Sequence, residues 1–169
     1  QLRGTYATGS MAWVPVNVLE LLGEVHDLLV PQLKKNQVEW CQADGSDQSY
    51  MVIAVRNNLK QVFINLCLNA MEAMEADHGG KLTLNLHASE DSQRVGIDFH
   101  NTGSVINADA RSRIFDPYFT TKKNGTGLGL SISHDIIRQH KGEILVESAP
   151  GHGVTFTVWL PLAQVEKDG

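Results

Sequence analysis

The 169 residues suffice for one compact domain with a single core, and 42% hydrophobic with 20% charged residues is ordinary for a globular chain. A formal net charge of −5 excludes the global basic field that draws proteins to nucleic acid or anionic lipid, and no apolar run approaches the ~20 residues of a membrane span. Two cysteines, Cys41 and Cys67, lie in unrelated segments without metal-ligand spacing; they read as reduced thiols and favour a cytoplasmic setting.

Residues 1–11 are polar and aperiodic, and Gly9-Ser10-Met11 reads as an expression leader or linker. The folded domain is expected over 12–163, with a frayed charged tail at 164–169. No basic-then-apolar leader is visible, so any membrane anchor of a longer protein would lie outside this chain. Trp13 to Val16 is a short extended piece, after which Asn17 is placed to cap a helix. Leu19, Leu22, Val25, Leu29 and Leu33 recur at helical spacing to about Lys35, with Pro31 as a kink or break. Val38 to Gln42 and Tyr50 to Val55 read as strands around a polar turn. Asn57 or Asn58 begins the most regular helix, whose stripe is Leu59, Val62, Phe63, Leu66, Ala70 and Ala73. Alternating Leu82, Leu84, Leu86 and then Val95, Ile97, Phe99 predict a hairpin. Asn101 to Asn124 has no clean period and reads as a long functional loop. A glycine-rich turn opens a third helix, about Gly127 to His140, and strands Glu143 to Glu147 and Val154 to Leu160 follow. Helices separated by strand pairs imply an α+β sandwich, a mixed sheet covered on one face by helices.

Four segments carry chemistry. Asn65 and Asn69 stand four apart on a helix and share a face, and carboxamide oxygens suit magnesium; two surface asparagines is the plainer alternative. Gly125-Thr126-Gly127-Leu128-Gly129-Leu130 precedes a helix, where glycines admit a polyphosphate and free N–H groups attract it, with Lys122 and Lys123 adding charge. It lacks the Gly-Lys-Ser/Thr ending of a P-loop and the spacing of a dinucleotide fingerprint. Asn101-Thr102-Gly103-Ser104-Val105-Ile106 ends a strand, where a polar side chain can read an adenine edge; an ordinary Asx turn is the alternative. Arg113 to Lys122 sets Phe115, Tyr118 and Phe119 close together, as a loop pinned to the core or a lid over ligand.

In order and spacing these segments resemble the N, G1, F and G2 boxes of sensor histidine kinases, within the GHKL ATPase superfamily, and Gly151-His152-Gly153-Val154-Thr155-Phe156 is similar to the G3 element. The resemblance spans roughly Val14 to Pro161. It implies the Bergerat α/β sandwich, about five strands backed by three helices, and Mg-ATP as ligand. It implies that Asn69, helped by Asn65, holds magnesium, and that Gly127, Leu128 and Gly129 offer N–H groups to the phosphates. It further implies that Thr155 helps position adenine and that Phe115 and Phe119 anchor the lid.

One departure is plain. The family writes Asp-x-Gly-x-Gly in the G1 box; alignment on Gly103 and Ile106 puts Asn101 at the Asp and Val105 at the second Gly. A neutral acceptor is weaker than a charged one by roughly a factor of two. Asp98 reads as a strand residue. The related hydrolases place a Glu where Asn65 stands, and Asn cannot act as a general base at neutral pH. His26-Asp27 only superficially matches a phosphoacceptor, since it lies in a helix of the ATP domain. The other histidines read as surface or turn residues. The expected partners are therefore a dimerisation and phosphoacceptor domain of the same protein and a downstream response regulator, with no nucleic acid, no membrane contact and a monomeric isolated domain. A nucleotide-sensing module without phosphoryl transfer is the alternative.

Overall fold

The computed structural model describes residues 12–43, 48–103, 128–149 and 151–164. The chain opens with β1 (Trp13–Asn17) and passes directly into α1 (Val18–Lys35). Asn17 caps this helix as its position implies: its Oδ1 accepts the Glu20 amide at 3.1 Å, satisfying one of the free N–H groups of the first turn. Pro31 does not end α1. Pro31 and Asp27 both face solvent, so the carbonyl left without an amide partner can be hydrated, while Leu29 and Leu33 carry the buried stripe past it.

β2 (Val38–Gln42) and β3 (Met51–Val55) are neighbours in sequence but do not pair. β3 runs antiparallel to β1 in a two-stranded ribbon and leads straight into α2 (Arg56–Ala73). A short 3-10 turn, Glu75–Asp77, closes that helix, and β4 (Gly80–Ala88) then lies parallel to β2. β4 and β5 (Arg94–Asn101) form the expected hairpin. After α3 (Leu128–Gln139) come β6 (Glu143–Ser148) and β7 (Val154–Pro161). The main sheet has the order β2-β4-β5-β7-β6, five strands, with only β2–β4 parallel.

The three helices cover one face of this sheet. Leu82, Leu84 and Leu86 of β4, Val95, Ile97 and Phe99 of β5, and Val154, Phe156, Val158 and Leu160 of β7 alternate inward onto them. Phe63 of α2 meets Phe99 of β5 with ring centroids 5.6 Å apart, at the middle of the core. Arg56 of α2 donates to both carboxylate oxygens of Glu24 on α1, and Lys60 adds a longer contact at 3.5 Å. Among the described residues no helix is long and apolar enough to cross a membrane.

Candidate nucleotide site

Two contacts fix how α2 and α3 lie. The Val55 amide, at the start of α2, donates to Nε2 of His140, just past the end of α3, at 3.1 Å. Further along α2, Nδ2 of Asn65 donates to the hydroxyl of Ser133 at 3.3 Å. The helices are therefore antiparallel. Asn69, one turn beyond Asn65, falls level with the first turn of α3, where the free N–H groups of a helix start are found. The C-terminus of α2 and the N-terminus of α3 thus share one end of the molecule.

The end of β5 arrives at the same end. Gly103 follows it with φ +125, and a Cβ there would stand 2.8 Å from the carbonyl oxygen of Ala73, the last residue of α2. Thr102 staples this turn to β4: its amide donates to the Lys81 carbonyl and its hydroxyl accepts the Lys81 amide, both at 3.1 Å. Asn101 is held between these ties at 1% exposure. Its Nδ2 donates to the Thr102 carbonyl at 2.9 Å. Among the described residues its Oδ1 accepts no bond, an uncommon state for a buried acceptor.

Asn65 and Asn69 of α2 differ in the same way. Oδ1 of Asn65 accepts from Gln61 at 2.8 Å while its Nδ2 binds Ser133, so both ends of that carboxamide serve helix packing. The carboxamide of Asn69 has no hydrogen-bond partner among the described residues. The donor sets thus fit a single carboxamide ligand from α2 better than a pair. Thr155 does not join this group. Strand alternation sends it to the outer face of the sheet, where its hydroxyl lies 2.7 Å from Nδ1 of His100. Val154, directly opposite Asn101 in the β5–β7 register, occupies the inner face instead.

Asp98 also points to the outer face, as a strand residue should. It accepts from Thr157 at 2.6 Å and Asn85 at 3.2 Å and lies 3.2 Å from Nε2 of His87. Cys67 is buried in α2, and burial pushes its thiol up to about 12, so it is an inert core residue. His26 sits half-buried on α1, edge-on to Trp40 and 3.2 Å from Asp27. Ile106, Phe115, Phe119, Lys122, Lys123, Gly125, Thr126 and Gly127 lie outside the described residues. Of the phosphate segment, the backbone of Leu128 and Gly129 forms the first turn of α3, and Leu130 packs part-buried against the core.

Sequence reasoning missed His140. It lies in the turn that follows α3, as expected, but at 5% exposure it is buried rather than on the surface. Besides accepting the Val55 amide through Nε2, it donates from Nδ1 to the Ile136 carbonyl at 2.8 Å, which fixes the tautomer. Desolvation holds its pKa below the ordinary 6.5. Its burial continues the inward face of α3, where Ser133 and Ile137 are buried at helical spacing.

A family model described as histidine kinase-, DNA gyrase B-, and HSP90-like ATPase matches residues 54–164. Sensor histidine kinase ZraS of Escherichia coli (strain K12) is 46% identical over 112 residues, which make up 66% of this chain and 23% of ZraS. The nucleotide-free catalytic domain of histidine kinase ThkA superposes with a TM-score of 0.76 at 35% identity, covering 89% of this chain and 96% of that one. ThkA in complex with response regulator protein TrrA gives a TM-score of 0.74 at 33% identity, over 89% of this chain and 42% of that one. The chain spans 17–24% of the length of the curated relatives it matches. A family match over most of the folded residues, and a solved catalytic domain covered almost end to end, make this chain a member of the histidine kinase-, DNA gyrase B- and HSP90-like ATPase family, as the catalytic and ATP-binding domain of a sensor histidine kinase.

Proposed function

We propose that this domain binds ATP with magnesium and passes the γ-phosphoryl group to a histidine of a dimerisation and phosphoacceptor domain, with a response regulator downstream. The observation that carries the reading is the buried Oδ1 of Asn101, which accepts no bond among the described residues. An unsatisfied buried acceptor costs about 1–3 kcal/mol, and the 6-amino group of adenine would relieve it. Asn69, without a hydrogen-bond partner among the described residues and level with the start of α3, is the carboxamide suited to a cation that also contacts phosphate. Bound magnesium would neutralise charge on the polyphosphate. The first-turn amides of α3 would donate to the phosphate oxygens, with Gly127, Gly125, Thr126, Lys122 and Lys123 leading into them and Ile106, Phe115 and Phe119 proposed around the base and lid.

Transfer is favoured over hydrolysis because Asn65, where the related hydrolases carry a Glu, is no general base at neutral pH. In the transfer, the bond from the γ-phosphorus to the bridging oxygen of ATP breaks, ADP leaves, and a phosphorus–nitrogen bond forms on the acceptor imidazole. The ThkA–TrrA complex supports a response regulator as the downstream partner. The test mixes this domain with a separately produced acceptor hairpin and γ-labelled ATP. Acid-labile label on the hairpin histidine is expected. Bound nucleotide with no transfer to any hairpin would favour a nucleotide-sensing module instead.

A further inference from the structure

His140 is buried at 5% exposure, has no part in ligand contact, and its bonds and ring contact tie three elements together. Nε2 takes the Val55 amide, a first-turn N–H of α2 that the helix itself cannot satisfy. Nδ1–H goes to the Ile136 carbonyl in the last turn of α3. Trp13 of β1 covers the ring, with centroids 4.6 Å apart. No side chain caps the N-terminus of α2 from within its own segment. The imidazole of a residue 85 positions away does it instead.

We infer that His140 is a positioning residue for the nucleotide site: by joining the start of α2 to the end of α3 it sets the antiparallel register that brings Asn69 level with the first turn of α3. The inference rests on the proposed Mg-ATP site for its functional consequence, but its geometry stands apart from it. Further along the same pair of helices, Asn65 of α2 donates to Ser133 of α3 at mid-helix. A bond near the far end of the seam, added to the one at mid-helix, resists pivoting of the two helices about it. His140 acts at the end of α3 opposite the phosphates, so its effect on ligand is indirect.

The test compares wild type with His140→Ala and His140→Gln, the second keeping an acceptor and a donor on one side chain. Val25→Ala, which opens a cavity in α1 remote from the α2–α3 seam, serves as a control of reduced stability. Each is studied at a temperature where urea titration shows it folded. His140→Ala is expected to raise the dissociation constant for Mg-ATP about ten-fold, the usual size of an indirect effect on a coupled site. His140→Gln should recover most of this, and Val25→Ala should leave affinity unchanged. Hydrogen exchange without nucleotide gives the independent reading: amides 131–135 of α3 should lose protection in His140→Ala and regain it in His140→Gln. If wild type binds no Mg-ATP, the proposed function fails while that exchange pattern still upholds the positioning role. Unchanged exchange in His140→Ala, or an affinity loss matched by Val25→Ala, overturns the inference.

Discussion

Gly153 presses against the carbonyl of Asn101: a Cβ there would stand 2.0 Å from that oxygen, and Gly153 has φ +69. The β6–β7 turn is thereby held against the end of β5, where the candidate adenine reader sits. Gly151, in the same turn with φ +79, has nothing within 4 Å of its would-be Cβ. Gly153→Ala is expected to cost about 2–3 kcal/mol by urea unfolding, and Gly151→Ala only about 1 kcal/mol for the left-handed backbone. Equal costs would show that backbone conformation alone, and not the Asn101 contact, sets the requirement for glycine.

With Nδ2 of Asn101 bonded to the Thr102 carbonyl, Oδ1 is the end of the side chain left without a bond among the described residues. Adenine, with an amino group at its six position, should be preferred over guanine, which carries an oxygen there. Asn101→Ala should weaken ATP far more than free triphosphate. Asn101→Asp would set a carboxylate oxygen against the Thr102 carbonyl, so it should lower stability by about 1 kcal/mol or more even if it strengthens the base contact. Calorimetry with ATP, GTP and triphosphate across the three proteins checks this; equal ATP and GTP affinities in all three would remove Asn101 as the base reader.

The neutral His140 imidazole gives a pH signature. Its folded pKa lies below the ordinary 6.5, so its contribution is present above pH 6.5 and is lost as pH falls through the lowered folded value, when Nε2 is protonated and can no longer accept the Val55 amide. Stability measured by urea midpoint should decline over that window in wild type and decline less in His140→Gln. Parallel profiles would mean that other groups dominate there.

Glu24 answers in a lower window. The hydrogen bond from Arg56 lowers its carboxyl below the ordinary 4.5, so its contribution is present above that value and is lost as pH falls through the lowered folded one. The pair is more than a third exposed on the carboxylate side, and solvent screens it. Arg56→Met should therefore cost under about 1 kcal/mol at neutral pH. A much larger loss would show that Arg56 holds α1 to α2 by more than this ion pair.

The elements legible in the sequence are those whose signal is local. The Asn17 cap, the β4–β5 alternation and the α2 stripe each write their period or cap chemistry into adjacent residues. Partner choice between strands is not local. β2 and β3 adjoin in sequence, yet β2 pairs with β4 across α2, and a parallel pair needs such a crossover. Pro31 misleads for the opposite reason, since a rule about helix interiors yields to a buried stripe that continues past it. At the proposed site, Asn69 and Asn101 were singled out by the family resemblance, and the structure brings the ends of α2 and β5 that carry them together. The separation of Thr155 from Asn101 follows from a one-residue register, and alternation along β7 carries it. The role of His140 needs a contact between residues 85 apart, which no window of sequence contains.

The central claim is that Asn69 holds magnesium against bound triphosphate. The most direct measurement is titration calorimetry of ATP with and without magnesium, on wild type and Asn69→Ala. Wild type should bind ATP at about micromolar to millimolar strength, −8 to −4 kcal/mol, and more tightly with magnesium than without. Asn69→Ala should bind with the same affinity in both conditions while keeping its urea midpoint. A magnesium dependence that survives intact in folded Asn69→Ala would contradict the account.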